Sequence, residues 1–142
     1  MAHWLYPANP KLYDVLTAFA APETYWPISS KVSVGDIIYI YLAAPYKQLG
    51  FVCEVSDINI NKQEVMDVLR PLMKPQKAPP KRDKVFMKLQ VCSRMSLEET
   101  TLLDYQSLKD NGLNGMLMGP RRLENNPALL NYIHKVLYAT TV

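Results

Sequence analysis

Aromatic side chains that stand beside small or polar loop residues are the part of this sequence best suited to chemistry. Trp26 lies in a segment rich in proline and serine, and Tyr46 follows a run of small residues. A flat apolar ring can stack on a nucleic-acid base, which is worth about 1–3 kcal/mol per base, while nearby polar groups read the base edge. The residues of this candidate base pocket are Tyr6, Asn9, Trp26, Ser29, Ser30, Ala44, Pro45 and Tyr46. The alternative is that Trp26 and Tyr46 only cover the hydrophobic core.

A second feature suited to binding is the basic segment, residues 70–88. It carries seven lysines and arginines and one acidic residue, whereas the whole chain has a net charge of +3, so the remainder is net acidic. A local basic segment on an acidic body suits a polyanion partner, and a solubilising loop with four prolines is the alternative. The candidate phosphate contacts within it are Lys74, Lys77, Lys81, Arg82 and Lys84.

The residue types that catalysis or metal binding requires are sparse. Of the two histidines, we expect His3 to lie at a frayed start and His134 at the surface or end of the last helix. Cys53 and Cys92 lie in alternating apolar segments and are predicted to be small core residues. The sequence contains no glycine-rich phosphate loop and no hydrolase motif. We therefore predict no catalytic residue, no metal site and no cofactor.

Short strands and helices must position these candidate residues. The chain has 142 residues, 49% of them hydrophobic and 20% charged, which indicates one globular domain. "HWLY" is predicted to be a strand, and Asn9 to cap a helix that Pro10 begins. Residues 21–34 are predicted to form a long connection leading into a turn at Asp36. The run "IIYIYLAA" is typical of a strand buried on both faces, with "LGFVCEVSDINI" as its hairpin partner.

The second half of the chain carries clear helix signals. "NKQEVMDVLRPLM" is predicted to be a short helix that stops near Pro71, and an alternating strand follows the basic segment. Ser96 and Glu99 have capping-box spacing, and Gly112 suits the end of the helix or helix pair that they open. Pro127 is predicted to begin a last helix that docks on the core. The order β-α-β-β-α-β-α-α favours an α+β fold with a compact, curved or barrel-like mixed sheet.

The order and spacing of these pieces resemble the EVE domain of the PUA-like superfamily, which is related to the YTH and ASCH domains. The stretch "HWLYPANPKLYDVLTAF…YWPISSKVSVGDIIYIYLAAPYKQLGFVCEV" has an aromatic first strand with an N-P end, a tryptophan before the sheet, V-G-D followed by I-Y-I-Y, and a G-x-x-x-E-V strand. "LKDNGLNGMLMGPRRLE…LLNYI" fits the family's late loop and closing helix. The resemblance covers nearly the whole chain and implies that residues 1–142 form one PUA-like barrel flanked by short helices.

The resemblance also implies a function. The chain is similar to the recognition modules of bacterial modification-dependent restriction systems, which read 5-methylcytosine or 5-hydroxymethylcytosine in duplex DNA. Such relatives hold a flipped base in an aromatic cage. The resemblance implies a reader without enzymatic activity, the N-terminal recognition domain of a longer protein. The fused or associated nuclease or motor would then lie outside these residues.

Individual pocket residues are carried over from the family. Trp26 matches the cage tryptophan, the adjoining Ser29 and Ser30 would line the pocket, and Asn9 matches the position that hydrogen-bonds the base edge.

The second wall of the cage departs from the family pattern because no tryptophan follows the central hairpin. It is assigned to Tyr46, supported by Ala44 and Pro45, or to Met73 or another residue of the basic segment. Arg121 and Arg122 in "GPRRL" fall where a related domain contacts phosphate.

Three alternatives stay open: a reader of modified RNA bases with the same cage, an enzyme acting on a modified nucleoside, and a protein-interaction module. No apolar run approaches the roughly 18 residues of a membrane span. The N-terminus lacks the basic and apolar parts of a secretory signal. The expectation is a cytoplasmic protein with no membrane partner.

Overall fold

The structure is a computed structural model that describes residues 1–28, 31–74 and 85–138. In these ranges, six strands form one mixed sheet, accompanied by five short helices and two 3₁₀ turns. The strands are β1 (His3–Ala8), β2 (Glu23–Pro27), β3 (Ile37–Leu42), β4 (Gln48–Asn61), β5 (Val85–Arg94) and β6 (Arg121–Arg122). The helices are α1 (Val15–Ala18), α2 (Lys62–Leu69), α3 (Leu97–Leu102), α4 (Tyr105–Asp110) and α5 (Pro127–Tyr138), and the 3₁₀ turns span Arg70–Leu72 and Leu123–Asn125.

The sheet has the strand order β2-β5-β4-β3-β1-β6. β1 and β3 are parallel, and the other neighbouring pairs are antiparallel. β2 and β6 stand at the two edges, so within the described ranges the sheet is open rather than closed into a barrel. The prediction of an α+β fold with a mixed sheet is confirmed. Because β1 and β3 run the same way, their ends Ala8 and Leu42 lie side by side, and Ala43 N donates to Ala8 O at 2.9 Å.

Alternating side chains of the central strands fill one core on each face of the sheet. On one face, here called the α1 face, Tyr6 and Ile40 pack with Phe19, which follows α1. On the opposite face, here called the α5 face, Tyr39 packs with Ile133 of α5. β3 is therefore buried on both faces, as its apolar sequence predicted.

Asp36 does more than form the turn that precedes β3. Its carboxylate is 4% exposed and accepts hydrogen bonds from Ala2 N at 2.9 Å, Ser33 N at 2.9 Å and Trp4 Nε1 at 3.0 Å. Burial raises the pKa of Asp36, but these hydrogen bonds outweigh burial and hold the pKa below its usual value. The side chain thus joins the start of β1 to the start of β3.

Asn9 and Pro10 open a turn rather than the predicted helix. Asn9 Oδ1 accepts a hydrogen bond from Lys11 N at 3.0 Å, the kind of local bond with which asparagine competes against helix formation. α1 begins only at Val15, where the Asp14 carboxylate caps it by accepting from Thr17 N. Residues 9–14 therefore form a loop after β1, here called the 9–14 loop.

The connection predicted over residues 21–34 contains strand β2. Trp26 pairs with Met87 of β5, and β2 has no strand on its other side within the described ranges. An edge strand needs hydrogen-bond partners on one side only, so it tolerates Pro27. The prolines that indicated a loop are therefore compatible with strand pairing, and the loop prediction for Trp26 is wrong.

A β-bulge in the β4–β5 pair changes the exposure of one predicted core residue. Cys53 pairs with Val91 and Val52 pairs with Ser93, which leaves Cys92 as the extra residue. Cys92 is exposed, whereas Cys53 is buried as predicted. The prediction for Cys92 was wrong because sequence alternation does not reveal a bulge.

The helix signals of the second half are confirmed. α2 ends at Leu69, and the 3₁₀ turn that contains Pro71 follows it. Ser96 Oγ accepts from Glu99 N while the Glu99 carboxylate accepts from Ser96 N, so a capping box opens α3. α5 begins at Pro127. Across the described ranges, no helix has both the length and the apolar character needed to cross a bilayer.

Candidate nucleic-acid interface

Trp26 lies on the edge strand β2 with its indole half-buried against the α1 face. Its ring centroid is 5.3 Å from that of Tyr13, with the two planes at 82°, and 5.5 Å from that of Phe19, with the planes at 46°. Phe19 in turn stacks on Phe51 at 4.9 Å. The indole is thus the outer member of an aromatic row that is anchored in the core and partly open to solvent.

Tyr13, which sequence reasoning did not single out, is the ring that stands next to Trp26. It forms an isolated antiparallel bridge with Met73, and Asp14 N donates to Leu72 O at 2.7 Å. Lys74 N donates to the 9–14 loop, at Leu12 O, at 3.0 Å. Sequence could have found Tyr13 only through these long-range bonds, because within its own segment it belongs to a predicted helix.

The same loop brings Asn9 and Lys74 into one region. The Lys74 ammonium donates to Pro10 O, directly after Asn9. Asn9 is exposed, and its side-chain oxygen already accepts from Lys11 N. The loop therefore connects three predicted site residues through Tyr13: Asn9, Trp26 and Lys74. The predicted residues that lie outside the described ranges are Ser29, Ser30, Lys77, Lys81, Arg82 and Lys84.

Tyr46, the predicted second wall, lies elsewhere. It is 41% exposed in the turn between β3 and β4, after a cis bond between Ala44 and Pro45. That turn is attached to the junction of α3 and α4, since Tyr105 N donates to Lys47 O at 2.8 Å. The turn and the two helices line a surface depression of about 430 Å³ on the α5 face. Tyr46 and Trp26 are thus on opposite faces of the sheet, and the structure does not bring their rings together.

The remaining predicted residues have structural roles in the free protein. Tyr6 is 2% exposed and belongs to the core of the α1 face. The Arg121 guanidinium donates to Asn114 O and Met116 O, both at 2.7 Å, and so holds the loop before β6. Arg122 Nε lies 3.5 Å from Glu124 Oε1. Both arginines are on β6, across the full width of the sheet from Trp26 on β2.

A second polar cluster, which sequence reasoning missed, lies on the α5 face. His3 is in β1 rather than at a frayed end, and its Nδ1 lies 2.6 Å from Glu124 Oε2. His134 Nε2 lies 3.0 Å from the hydroxyl of buried Tyr39, and the two imidazole centroids are 5.0 Å apart. Burial and the charge of His3 lower the pKa of His134, against the opposite effect of Glu124. Among the described residues, no three or more His, Cys, Asp or Glu side chains are grouped to hold a metal ion.

Comparison with known proteins identifies the fold. No family model and no curated protein matches the chain. Among solved structures, ASCH from Zymomonas mobilis is 10% identical, with 92% of this chain and 94% of that chain covered and a TM-score of 0.56. Human THYN1 in complex with DNA containing 5-methylcytosine is 12% identical, with 93% and 98% covered and a TM-score of 0.58. A Pseudomonas putida protein is 15% identical, with 95% and 99% covered and a TM-score of 0.62.

These similarities extend over nearly the whole length of both chains in each pair. At such low identity they establish the fold alone. The chain has the same α+β fold as the ASCH and THYN1 structures. The predicted resemblance is thus confirmed at the level of fold.

Proposed function

We propose that this chain reads a modified base in duplex DNA by holding a flipped 5-methylcytosine or 5-hydroxymethylcytosine against Trp26. The observation that carries the proposal is the Trp26–Tyr13 ring pair, which is half-open to solvent and attached through Tyr13 to the start of the basic segment. The complex of human THYN1 with DNA containing 5-methylcytosine supports it, because that protein has the same fold.

The proposed mechanism balances the cost of base flipping against stacking and hydrogen bonding. Extruding one nucleotide costs a few kcal/mol for unstacking and unpairing. Stacking on Trp26 stabilises the flipped base by about 1–3 kcal/mol. Polar groups of Asn9, Ser29 and Ser30 would supply hydrogen bonds to the base. A 5-methyl group adds about 1 kcal/mol of apolar contact, so the methyl alone gives roughly tenfold discrimination.

The basic segment would supply the phosphate contacts. Lys74 already lies on the 9–14 loop, and Lys77, Lys81, Arg82 and Lys84 follow it in sequence. Each phosphate neutralised releases counterions, so affinity should fall steeply with salt. We leave Arg121 and Arg122 out of the proposed surface because they stand on the opposite edge of the sheet.

Residues 1–142 would act as one recognition domain in the cytoplasm. In this proposal they carry no catalytic activity and target a nuclease or a nucleotide-driven motor that lies outside the chain, as in restriction systems. Binding to DNA alone would then leave the DNA intact.

Binding of labelled duplexes that differ at one site tests the proposal. The site would hold cytosine, 5-methylcytosine, 5-hydroxymethylcytosine or N6-methyladenine, at fixed salt, with matched RNA as competitor. We expect tighter binding to a modified cytosine duplex than to the others.

Variants of Trp26 separate stacking from folding. Trp26→Leu removes the aromatic ring but keeps apolar bulk, and should weaken binding of the preferred duplex about tenfold. Trp26→Phe keeps a stacking ring and should lose less binding affinity.

Leu102→Ala, at an exposed apolar position of α3, is the matched control and should bind as the wild type does. Equal binding to all duplexes, or full affinity in folded Trp26→Leu, would contradict the proposal, and preference for RNA would favour an RNA reader.

A further inference from the structure

The hydroxyl of Tyr13 is a buried polar group to which no described residue forms a hydrogen bond. Within the described part of the chain, its oxygen is closed off from solvent and contacts no donor or acceptor. The ring packs between the core of the α1 face and a smaller apolar cluster under α2 that contains Val65 and Phe86. Apolar surroundings on both sides explain why the described residues offer the hydroxyl no partner.

An unpartnered buried hydroxyl is unfavourable, and folded proteins satisfy the great majority of such groups. Phenylalanine at this position would fill the same space without that cost. The Tyr13 ring is also held in place, through the bridge to Met73 and the hydrogen bond between Asp14 N and Leu72 O. A fixed hydroxyl with an unmet hydrogen bond beside a half-open tryptophan is the arrangement expected of a group that meets its partner on a ligand.

The hydroxyl stays protonated at neutral pH. Burial, and to a smaller extent the charge of Asp14, raise the pKa of Tyr13 to about 12. A neutral phenol can both donate and accept a hydrogen bond. It therefore matches a base edge that has a ring nitrogen or carbonyl acceptor next to an amino donor, as the Watson–Crick edge of cytosine does.

We propose that the Tyr13 hydroxyl reads the hydrogen-bonding edge of the base that stacks on Trp26. This inference rests on the proposed function and deepens it, because it adds the specificity-determining group and the second aromatic wall that sequence could not assign. The ligand is a flipped pyrimidine of the cytosine type, recognised by its N3, O2 or amino edge. The 5-substituent lies away from the N3 and O2 edge, so Tyr13 recognises the base rather than its modification.

In this inference, the base reaches the hydroxyl through a movement of Trp26. Its ring stands perpendicular to that of Tyr13, and it belongs to an edge strand paired on one side only within the described ranges. Its side chain is partly exposed, so it can shift at less cost than a residue of a central strand. A base that enters beside the shifted indole brings its edge to the hydroxyl, and the hydrogen bond forms only in the complex.

Tyr13→Phe tests the inference because it removes one oxygen and keeps the ring. The variant should bind the preferred modified duplex roughly tenfold more weakly. It should lose the same factor for 5-methylcytosine and 5-hydroxymethylcytosine duplexes, so that their ratio is unchanged. Its melting temperature without DNA should stay the same or rise by a few degrees, because an unpartnered buried hydroxyl has been removed.

Tyr132→Phe is the matched control with the opposite pattern. The Tyr132 hydroxyl donates to Leu102 O at 2.5 Å, far from Trp26 on the α5 face. Removing it should lower the melting temperature and leave DNA binding unchanged.

The outcomes separate the inference from the proposed function. If Trp26→Leu weakens binding but Tyr13→Phe binds as the wild type, the reader stands and the role of Tyr13 is overturned. A lower melting temperature of free Tyr13→Phe would also overturn it, because the hydroxyl would then have a partner in the free protein. If the wild type binds all duplexes equally, the proposed function fails and the inference fails with it.

Discussion

Asp36 is the residue whose side chain joins the start of β1 to the turn before β3. Its carboxylate accepts from Ala2 N, Ser33 N and Trp4 Nε1, and all three donors lose a charged acceptor when it is replaced. We expect Asp36→Ala to lower the free energy of unfolding by about 3 kcal/mol at pH 7, because buried donors are left unpaired. Urea denaturation at pH 7 measures this loss.

The pH dependence of the same variant has a defined sign. The folded-state pKa of Asp36 is lowered, so its stabilisation is present above the unfolded-state value near 4 and is lost as the pH falls through the folded value. The difference between wild type and Asp36→Ala should therefore shrink below pH 4. Asp67→Asn, at an exposed position of α2, is the control and should change stability by less than about 0.5 kcal/mol. A stability of Asp36→Ala equal to that of the wild type would contradict this role.

At the scale of secondary structure, helix α5 is attached to the sheet through a cluster of titratable groups. His134 of α5 faces His3 of β1, the hydroxyl of Tyr39 in β3 and Glu124 of the second 3₁₀ turn. Arg122 Nε of β6 lies 3.5 Å from Glu124 Oε1. The ring of Tyr138 in α5 contacts the His134 ring. Protonation of His134 puts a cation beside buried Tyr39, whose neutral hydroxyl offers it no countercharge.

His134 should therefore make stability depend on pH. Its folded-state pKa is lowered by burial first and then by His3, so its contribution is complete above the unfolded-state value near 6.5 and falls as the pH drops below it. We expect the urea midpoint of the wild type to fall from pH 7.5 to pH 5, and the amide protection factors over residues 127–138, corrected for the intrinsic exchange rate at each pH, to decrease. His134→Gln, which can hydrogen-bond Tyr39 without titrating, should flatten the decrease.

Lys135→Gln is the matched control for this helix. Lys135 is exposed and adjacent to His134, so its replacement should leave the pH dependence of the wild type in place. An unchanged pH dependence in His134→Gln would show that other groups cause the loss of stability. Glu124, whose pKa is also lowered, would not account for that loss, because its contribution is lost only at more acid pH.

Most helix signals that act within one turn predicted the structure correctly, although Asn9 and Pro10 opened a turn instead of a helix, and pairings between distant segments were not predictable. The capping box at Ser96 and the proline that begins α5 act within one helical turn, and both were predicted correctly. The prolines near Trp26 are local signals, and they led to the prediction of a loop. The pairing of Trp26 with Met87, which makes this segment a strand, joins segments 61 residues apart and leaves no local signal. Tyr13 was not predicted as a site residue for the same reason, since only its bridge to Met73 brings it to the site.

At the scale of the whole molecule, the sheet separates two groups of cationic residues. Lys74 lies at the 9–14 loop, near Trp26, while Arg121 and Arg122 stand on the far edge strand. The proposed function therefore predicts that DNA affinity depends on the basic segment and not on Arg121 and Arg122. Charge-neutral substitutions in each group distinguish them by the salt dependence of binding.

The double variant Lys81→Gln, Arg82→Gln should weaken DNA binding and reduce the slope of log affinity against log salt by about 1 for each phosphate that is no longer neutralised. The effect should be similar for modified and unmodified duplexes, because phosphate contacts position the DNA without reading bases.

Arg122→Gln is the control, since Arg122 lies on β6 and faces Glu124. If Arg122→Gln reduced the slope and the double variant did not, the DNA would lie across the β6 edge. Trp26 would then be a core residue that happens to be half-exposed, and the base pocket would have to be sought on the α5 face, where Tyr46 and Tyr105 line the depression.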